Sequence, residues 1–257
     1  MKIQFIDTTK ETLEQYFAYY VSSLSSPIDS FLEQYILNSD FLRIELDEQT
    51  IGYAAVHQQF LITQFYLTDA YKPLGQEVYH QLKKTAQVKE ALVPTCDEFF
   101  LSHALESNRG FEFQAYIFQD CKTADQHVNE LAGFELVLAS QHDIFFIKEN
   151  SGDFFTDLEK HIEEEEIYIG LYQGERVSFG IIQESRICTQ FASIGMYVIE
   201  GKKQLGFAVK TLFCLKNYCY NRCMYPVAGC WYYNHNAKKA LNSAAMFANT
   251  RLLKIQL

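Results

Sequence analysis

The chain has 257 residues, 48% of them apolar and 15% aromatic, with only 4 Pro and 12 Gly. These totals exclude a disordered or fibrous chain, and no apolar run reaches the ~20 residues of a membrane-spanning helix. The formal net charge of −10 excludes the basic face that nucleic-acid binding needs, and it suits a cationic small substrate such as an amine.

In chain order, KIQFIDTT (2–9) reads as a strand with Thr8 and Thr9 as helix N-caps, and IDSFLEQYI (28–36) as a helix. LRIEL, IGYAAV (51–56) and FLITQFYL (60–67) are β-branched and aromatic, with connections short enough for antiparallel pairing. A loop with Gly75 then opens a helix. The same series returns: FELVLASQ (134–141) with Ser140 as N-cap, FTDLEKHI (155–162), then the strands IYIGLY (167–172), VSFGIIQ (177–183) and ASIGMYV (192–198). GKKQLGFA (201–208) leads into a helix with Leu205, Val209, Leu212, Phe213, Leu215 and Cys219 on its apolar face. A last β–α–β run follows: PVAGCWYY, NAKKALNSAAMF and TRLLKIQL.

Laid over each other without a gap, FYLTDAYKPLGQEV (65–78) and MYVIEGKKQLGFAV (196–209) match Tyr66 with Tyr197, Asp69 with Glu200, Lys72 with Lys203 and Gly75 with Gly206. Matching blocks keep their order on both sides, so the chain reads as two copies of one α/β (α+β) unit with a mostly antiparallel sheet. The join is expected near 119–133, giving units 1–130 and 131–257.

The opening MKIQFIDTTKETLEQYF turns polar after six residues and lacks a signal-peptide pattern. With seven cysteines, an odd count, reduced thiols and a cytoplasmic protein are expected. Cys219 and Cys223 have no second Cys or His pair to match them, and His161 with the Glu run 163–166 shows no ligand spacing. No metal is expected.

The loop before the second copy's long helix has the makings of a phosphate cradle. A helix N-terminus carries unpaired N–H groups and partial positive charge, Gly206 removes a side chain, Ala208 stays small, and Lys202 and Lys203 add charge. Neither a Walker loop nor a dinucleotide loop is present. The pattern Lys203-x-x-Gly206-x-Ala208 after IGMYV resembles the GNAT family of N-acetyltransferases, whose acyl-CoA loop is Gln/Arg-x-x-Gly-x-Gly/Ala; Lys203 is a departure at the first position. PVAGCWYYNHNAKKALNSAAMF resembles that family's fifth strand and following helix. The resemblance covers 134–257 and reaches the first copy through the repeat.

What the resemblance implies is a tandem GNAT using acetyl-CoA as cosubstrate and a primary amine as acceptor, a monomer or homodimer. The backbone of Met196, Tyr197 and Val198 would pair with the pantetheine amides. The N–H groups of Lys203, Gln204, Leu205, Gly206, Phe207 and Ala208 would hold the pyrophosphate. Asn234 would face the pantetheine arm, and strands splayed after 198 and 230 would form the acyl slot. The family's usual acid, a tyrosine, falls at Leu241 here, so Tyr233 is the candidate acid and Glu184 the candidate base. The alternatives are a packed aromatic for Tyr233 and an exposed strand-end carboxylate for Glu184. Trp231 packs in the core or lines the slot. In the first copy, Glu77 stands at the position of Ala208 and Pro73 removes an N–H, so that copy is expected to be degenerate and to bind no acyl-CoA. A non-catalytic acyl-CoA-binding module is the alternative function.

Overall fold

The computed structural model describes residues 2–85, 87–106, 108–121 and 131–257. The chain forms two compact units, unit 1 from Met1–Ile117 with Asn249–Leu257 and unit 2 from Phe118–Ala248. The expected join lies largely outside the described residues. The sequence division at 130/131 assigns the whole C-terminus to the second copy, whereas the last nine residues lie in unit 1. There, Leu252–Gln256 pair antiparallel with Glu90–Pro94, and Leu253 and Ile255 enter that unit's core.

The repeat is visible element by element. The first series is β1 (Ile3–Thr8), α1 (Glu14–Ser23), α2 (Ser30–Leu37), β2 (Asp40–Leu46), β3 (Gln49–His57), β4 (Leu61–Leu67), α3 (Gly75–Thr85), β5 (Glu90–Pro94), α4 (Glu98–Glu106) and β6 (Gly110–Asp120). The second is β7 (Phe134–Leu138), α5 (Ile144–Ser151), α6 (Leu158–Glu163), β8 (Ile167–Tyr172), β9 (Glu175–Glu184), β10 (Phe191–Val198), α7 (Phe207–Asn221), β11 (Tyr225–Trp231), α8 (His235–Ser243) and β12 (Met246–Gln256). In unit 1 the strands β1 to β4 run antiparallel in sequence order, and β5 joins β4 in parallel. In unit 2 β7 to β10 do the same, and β11 joins β10 in parallel.

Local irregularities recur as well. The two-residue turns at Asp47-Glu48 and Gln173-Gly174 have positive φ at both positions, the geometry whose twist suits a tight hairpin. A β-bulge falls at Ile44/Glu45 and again at Gly170/Leu171, the aligned positions of the two copies. Turn and bulge set strand twist, so their recurrence carries one sheet geometry into both units.

Some local expectations change. Ser140 does cap its turn, in a reciprocal arrangement with Asp143. Thr8 ends β1, and Thr9 bonds the Thr12 hydroxyl at 3.3 Å instead of capping a helix. Leu205 lies before α7 and is exposed, so it takes no part in the helix's apolar face. That face is Phe207, Thr211, Leu212, Leu215, Lys216 and Cys219, with spacings of one and two turns. β12 starts at Met246, inside the stretch expected to be helix, because Ala245 turns the chain with φ of 55°.

Lys216 is a cation on that buried face. Its Nζ lies 2.5 Å from Asp120 Oδ1 and donates to Ala244 O at 2.8 Å, and the Tyr220 hydroxyl bonds the same carboxylate. Removing one partner of a buried pair strands the other. Lys216→Met is expected to lower the unfolding free energy by about 3 kcal/mol in urea titration. A loss below about 1 kcal/mol would mean that the pair is solvated.

Candidate functional site

The parallel partners β10 and β11 pair at Phe191↔Tyr225, Ala192↔Pro226 and Ser193↔Val227. Beyond Ser193 the recorded pairing ends, while β10 runs on to Val198 and β11 to Trp231. The divergence begins well before the expected position at 198 and 230. The other edge of β10 stays hydrogen-bonded to β9 through Val198↔Ser178, so β10 is held straight. Ile194 to Val198 therefore present an edge toward the gap, a template for an added strand or a chain of amides.

The loop at the open end of this gap keeps its N–H groups available. Gly201, Gln204 and Gly206 have φ of 81°, 66° and 87°. Gly206 is the N-cap of α7, and no side chain bonds the first-turn N–H groups. The start of α7 is fixed from behind. Phe207 is buried against Phe134 and Tyr172, and the Thr211 hydroxyl donates to Phe207 O at 2.8 Å and meets Ser178 Oγ at 2.7 Å. A Cβ at Gly206 would meet only Leu131 Cδ1, at 3.8 Å, so backbone conformation rather than space is what calls for glycine there. A buried helix base with an uncapped, glycine-led mouth is a ready anion site.

Both lysines are already engaged. Lys202 pairs with Glu175 at 2.6 Å, and Lys203 pairs with Glu200 and stands 5.8 Å over the Tyr197 ring. The Glu200 contact holds the Lys203 ammonium above its ordinary pKa. The positive character of the mouth thus rests on backbone N–H groups more than on lysine charge.

Of the other candidates, Val198 is buried, Met196 and Tyr197 are half-buried, and Gln204 is exposed. Ala208 packs beside Phe207 and Val198. Asn234 is the N-cap of α8, accepting from Ala237 N at 3.0 Å. Its side-chain oxygen is thereby committed, and its amide nitrogen is the group left to reach a ligand. Leu241 is buried. Glu184 is largely exposed and lies 3.7 Å from the Arg222 guanidinium. Tyr233 is exposed beyond the end of β11, edge-on to Trp231 at 5.2 Å and Tyr232 at 5.1 Å. Trp231 is 62% exposed, so it is not a core residue. Sequence reasoning missed Phe154, which lies 5.6 Å from the Tyr197 ring and against Gly195. It also missed that His161, Glu164 and Glu166 come together within 4.8 Å. His161 bonds Glu166 at 2.6 Å and Arg186 flanks Glu164 at 3.6 Å, so both carboxylates already have partners.

The matching place in unit 1 is built differently. Asp69–Leu74, with Pro73 inside, winds into a 3-10 turn that runs straight into α3. Gly75 has right-handed φ of −52°, and a Cβ there would lie 2.3 Å from His103 Nε2 and 2.8 Å from Phe99 Cζ of α4. The Gly75 N–H is bonded to Lys72 O within this turn, whereas the start of α7 has no side-chain cap.

Residues 9–121 match the family model described as an acetyltransferase (GNAT) domain, so the matched copy is the first rather than the second. A GNAT-family acetyltransferase from Colwellia psychrerythraea is similar over 100% of both chains, with a TM-score of 0.85 and 18% identity. A tandem GNAT protein from the clavulanic acid biosynthesis pathway is similar over 100% of this chain and 98% of its own, with a TM-score of 0.63 and 10% identity. An N-acetyltransferase of the same family from Sphaerobacter thermophilus covers 99% of this chain and 95% of its own, with a TM-score of 0.65 and 11% identity. No curated protein matches.

Trp231 is the sole tryptophan, so intrinsic fluorescence reports on the end of β11. Red-shifted emission, quenched by acrylamide in the folded protein, is the expected result. Blue-shifted, protected emission would contradict the exposed placement.

Proposed function

We propose that the chain is a GNAT acetyltransferase, a reading supported by the domain match over residues 9–121, and that unit 2 binds acetyl-CoA and passes its acetyl group to a primary amine. The observation that carries this reading is the coincidence, at one end of unit 2, of the diverging β10 and β11 with an uncapped α7 N-terminus. The edge of Met196, Tyr197 and Val198 offers backbone groups to the pantetheine amides. The N–H groups from Lys203 to Ala208 take the pyrophosphate, and Asn234 borders the pantetheine arm.

At the apex of the gap, near Ser193, a neutral amine attacks the thioester carbonyl. A carbon–nitrogen bond forms, the carbon–sulfur bond breaks, and the amine proton leaves to a base or to water. Glu184, whose partner across the β9–β10 ladder is Ala192, remains our candidate base, and Tyr233 our candidate acid. The cosubstrate's divided grip, strand edge at one end and helix N-terminus at the other, leaves the thioester facing the apex.

Unit 1 takes no acyl-CoA in this proposal. Its loop is wound and covered, and Glu77 lies in the first turn of α3. A second reading, acyl-CoA binding without turnover, is favoured by one observation: Leu241 is buried where the family resemblance places a tyrosine. The first reading, an amine N-acetyltransferase acting on a small molecule or an N-terminal amine, is the one we carry forward.

Calorimetric titration with acetyl-CoA tests the proposal. Gly206→Glu is expected to weaken binding at least about hundredfold, since like charges at contact distance cost about 4 kcal/mol near a protein surface. Ala208→Glu, which copies Glu77 without touching a left-handed residue, should do the same with an unchanged circular dichroism spectrum. Undiminished binding in a folded Ala208→Glu variant would sink the assignment of the loop. Thiol release across a panel of primary amines separates turnover from binding alone.

A further inference from the structure

β10 and β11 both carry a glycine just past the point where they part. Ser193↔Val227 is the last recorded pair, and two residues on stand Gly195 and Gly229. Two further on stand Tyr197 and Trp231. Partners in a sheet point to one face, and side chains alternate along each strand. Gly195, Gly229, Tyr197 and Trp231 therefore share a face. β10 keeps an unbroken register with β9 from Ala192 to Val198, and burial in β11 alternates from Ala228 to Trp231.

That face is turned away from α7 and α8. Met196 and Val198, the alternate residues of β10, pack with Phe207 of α7. Cys230, the alternate residue of β11, donates to Asn234 O at the start of α8 at 3.6 Å. Tyr197 instead packs against the cluster that holds Ile147 of α5 and Ile162 of α6.

The loop between α5 and α6 reaches the same place. Phe155 anchors it, packed in that cluster 6.3 Å from the Phe179 ring. Its neighbour Phe154 stands edge-on to Phe155 at 4.8 Å and 5.6 Å from the Tyr197 ring. Phe154 Cζ lies 3.5 Å from where a Cβ on Gly195 would be. Phe154 is nevertheless 40% exposed, and Gly229 and Trp231 are exposed as well. Single exposed apolar side chains are ordinary, but rings gathered beside a gap in a sheet mark a binding surface. Asp153 and Asp157 are exposed on the same loop, so the surroundings suit a cation.

On the reading that acetyl transfer takes place at the apex of this gap, we propose that the acceptor enters on this face, where Phe154, Tyr197 and Trp231 select primary amines that carry an aromatic ring. The cosubstrate runs along the strand edge toward α7, which leaves the opposite face to the acceptor. Two glycines leave the strands bare of side chains there, so a flat ring can lie against the backbone. Ring–ring contact favours an aromatic group beyond the area it buries, and ring faces attract the ammonium form as it arrives.

The test is calorimetry of the full chain with phenethylamine hydrochloride and with ethylamine hydrochloride, the ringless control. Both are titrated without coenzyme A and at saturating coenzyme A, which has no acetyl group to transfer. Phenethylamine is expected to bind saturably and at least about tenfold more tightly than ethylamine. It should also shift the emission of Trp231, the sole tryptophan. Phe154→Ala should weaken phenethylamine binding at least about tenfold. Gly229→Val, a residue suited to a strand, should weaken it as well by filling the bare stretch. Circular dichroism confirms that each variant folds. No saturable binding, equal affinity for the two amines, or undiminished binding in a folded Phe154→Ala overturns the proposal. Acetyl-CoA affinity is measured separately on the same proteins. Acetyl-CoA bound without discrimination between the amines contradicts the acceptor site alone, and discrimination without acetyl-CoA binding contradicts the cosubstrate assignment alone.

Discussion

The parting of two parallel strands is the constraint on which the site in unit 2 depends. A sheet strand ordinarily satisfies its backbone on both sides. β10 does so on its β9 side along its length, and on its β11 side only as far as Ser193. The remaining edge is bound to accept something. The chain then turns through three residues of positive φ, which delivers α7 with its first N–H groups uncapped at the end of the same strand. Strand edge and helix terminus are thus adjacent because they are consecutive in sequence. No charged side chain has to create the site, and the two lysines that could do so are occupied by Glu175 and Glu200.

The same fold without that loop yields a different interior. In unit 1 the bulge, the hairpin turn and the strand order repeat, and β4 also leaves β5 early. Pro73 and right-handed Gly75 wind the loop closed, and Phe99 and His103 lie over it. What remains between the strands is polar: Gln64 from β4 and Asp97 from the start of α4, with two phenols. The family model nonetheless matches this copy. Recognisable sequence follows the strands and helices that build the fold, and ligand chemistry follows a few loop residues.

Most of the architecture was legible in the sequence because each block keeps its period and its order. Aromatic and β-branched runs gave the strands, and aligned blocks at offsets of 126–136 gave the repeat. The bulges and left-handed turns confirm it at a level no hydrophobic pattern displays. The C-terminal strand's membership of unit 1 was not legible, since TRLLKIQL pairs as well with one β5-like strand as with another. Thr8 has Glu11 three places on just as Ser140 has Asp143, yet only Ser140 completes the reciprocal bond, because Thr8 still belongs to β1 and Lys10 stands at the start of the following turn. In the candidate site, Gly206 and Ala208 could be read directly because backbone conformation restricts residue choice. The pairing of the lysines, the exposure of Trp231 and the convergence of Gln64 with Asp97 depend on tertiary placement, which spacing does not encode.

The measurement that tests the account most directly is amide hydrogen exchange with and without acetyl-CoA. The predicted result is slowed exchange at Met196–Val198 and Lys203–Ala208, with none at residues 69–78 of unit 1. Protection confined to residues 69–78, or none in either segment at saturating acetyl-CoA, would contradict the claim that diverging strands and an uncapped α7 form the cosubstrate site.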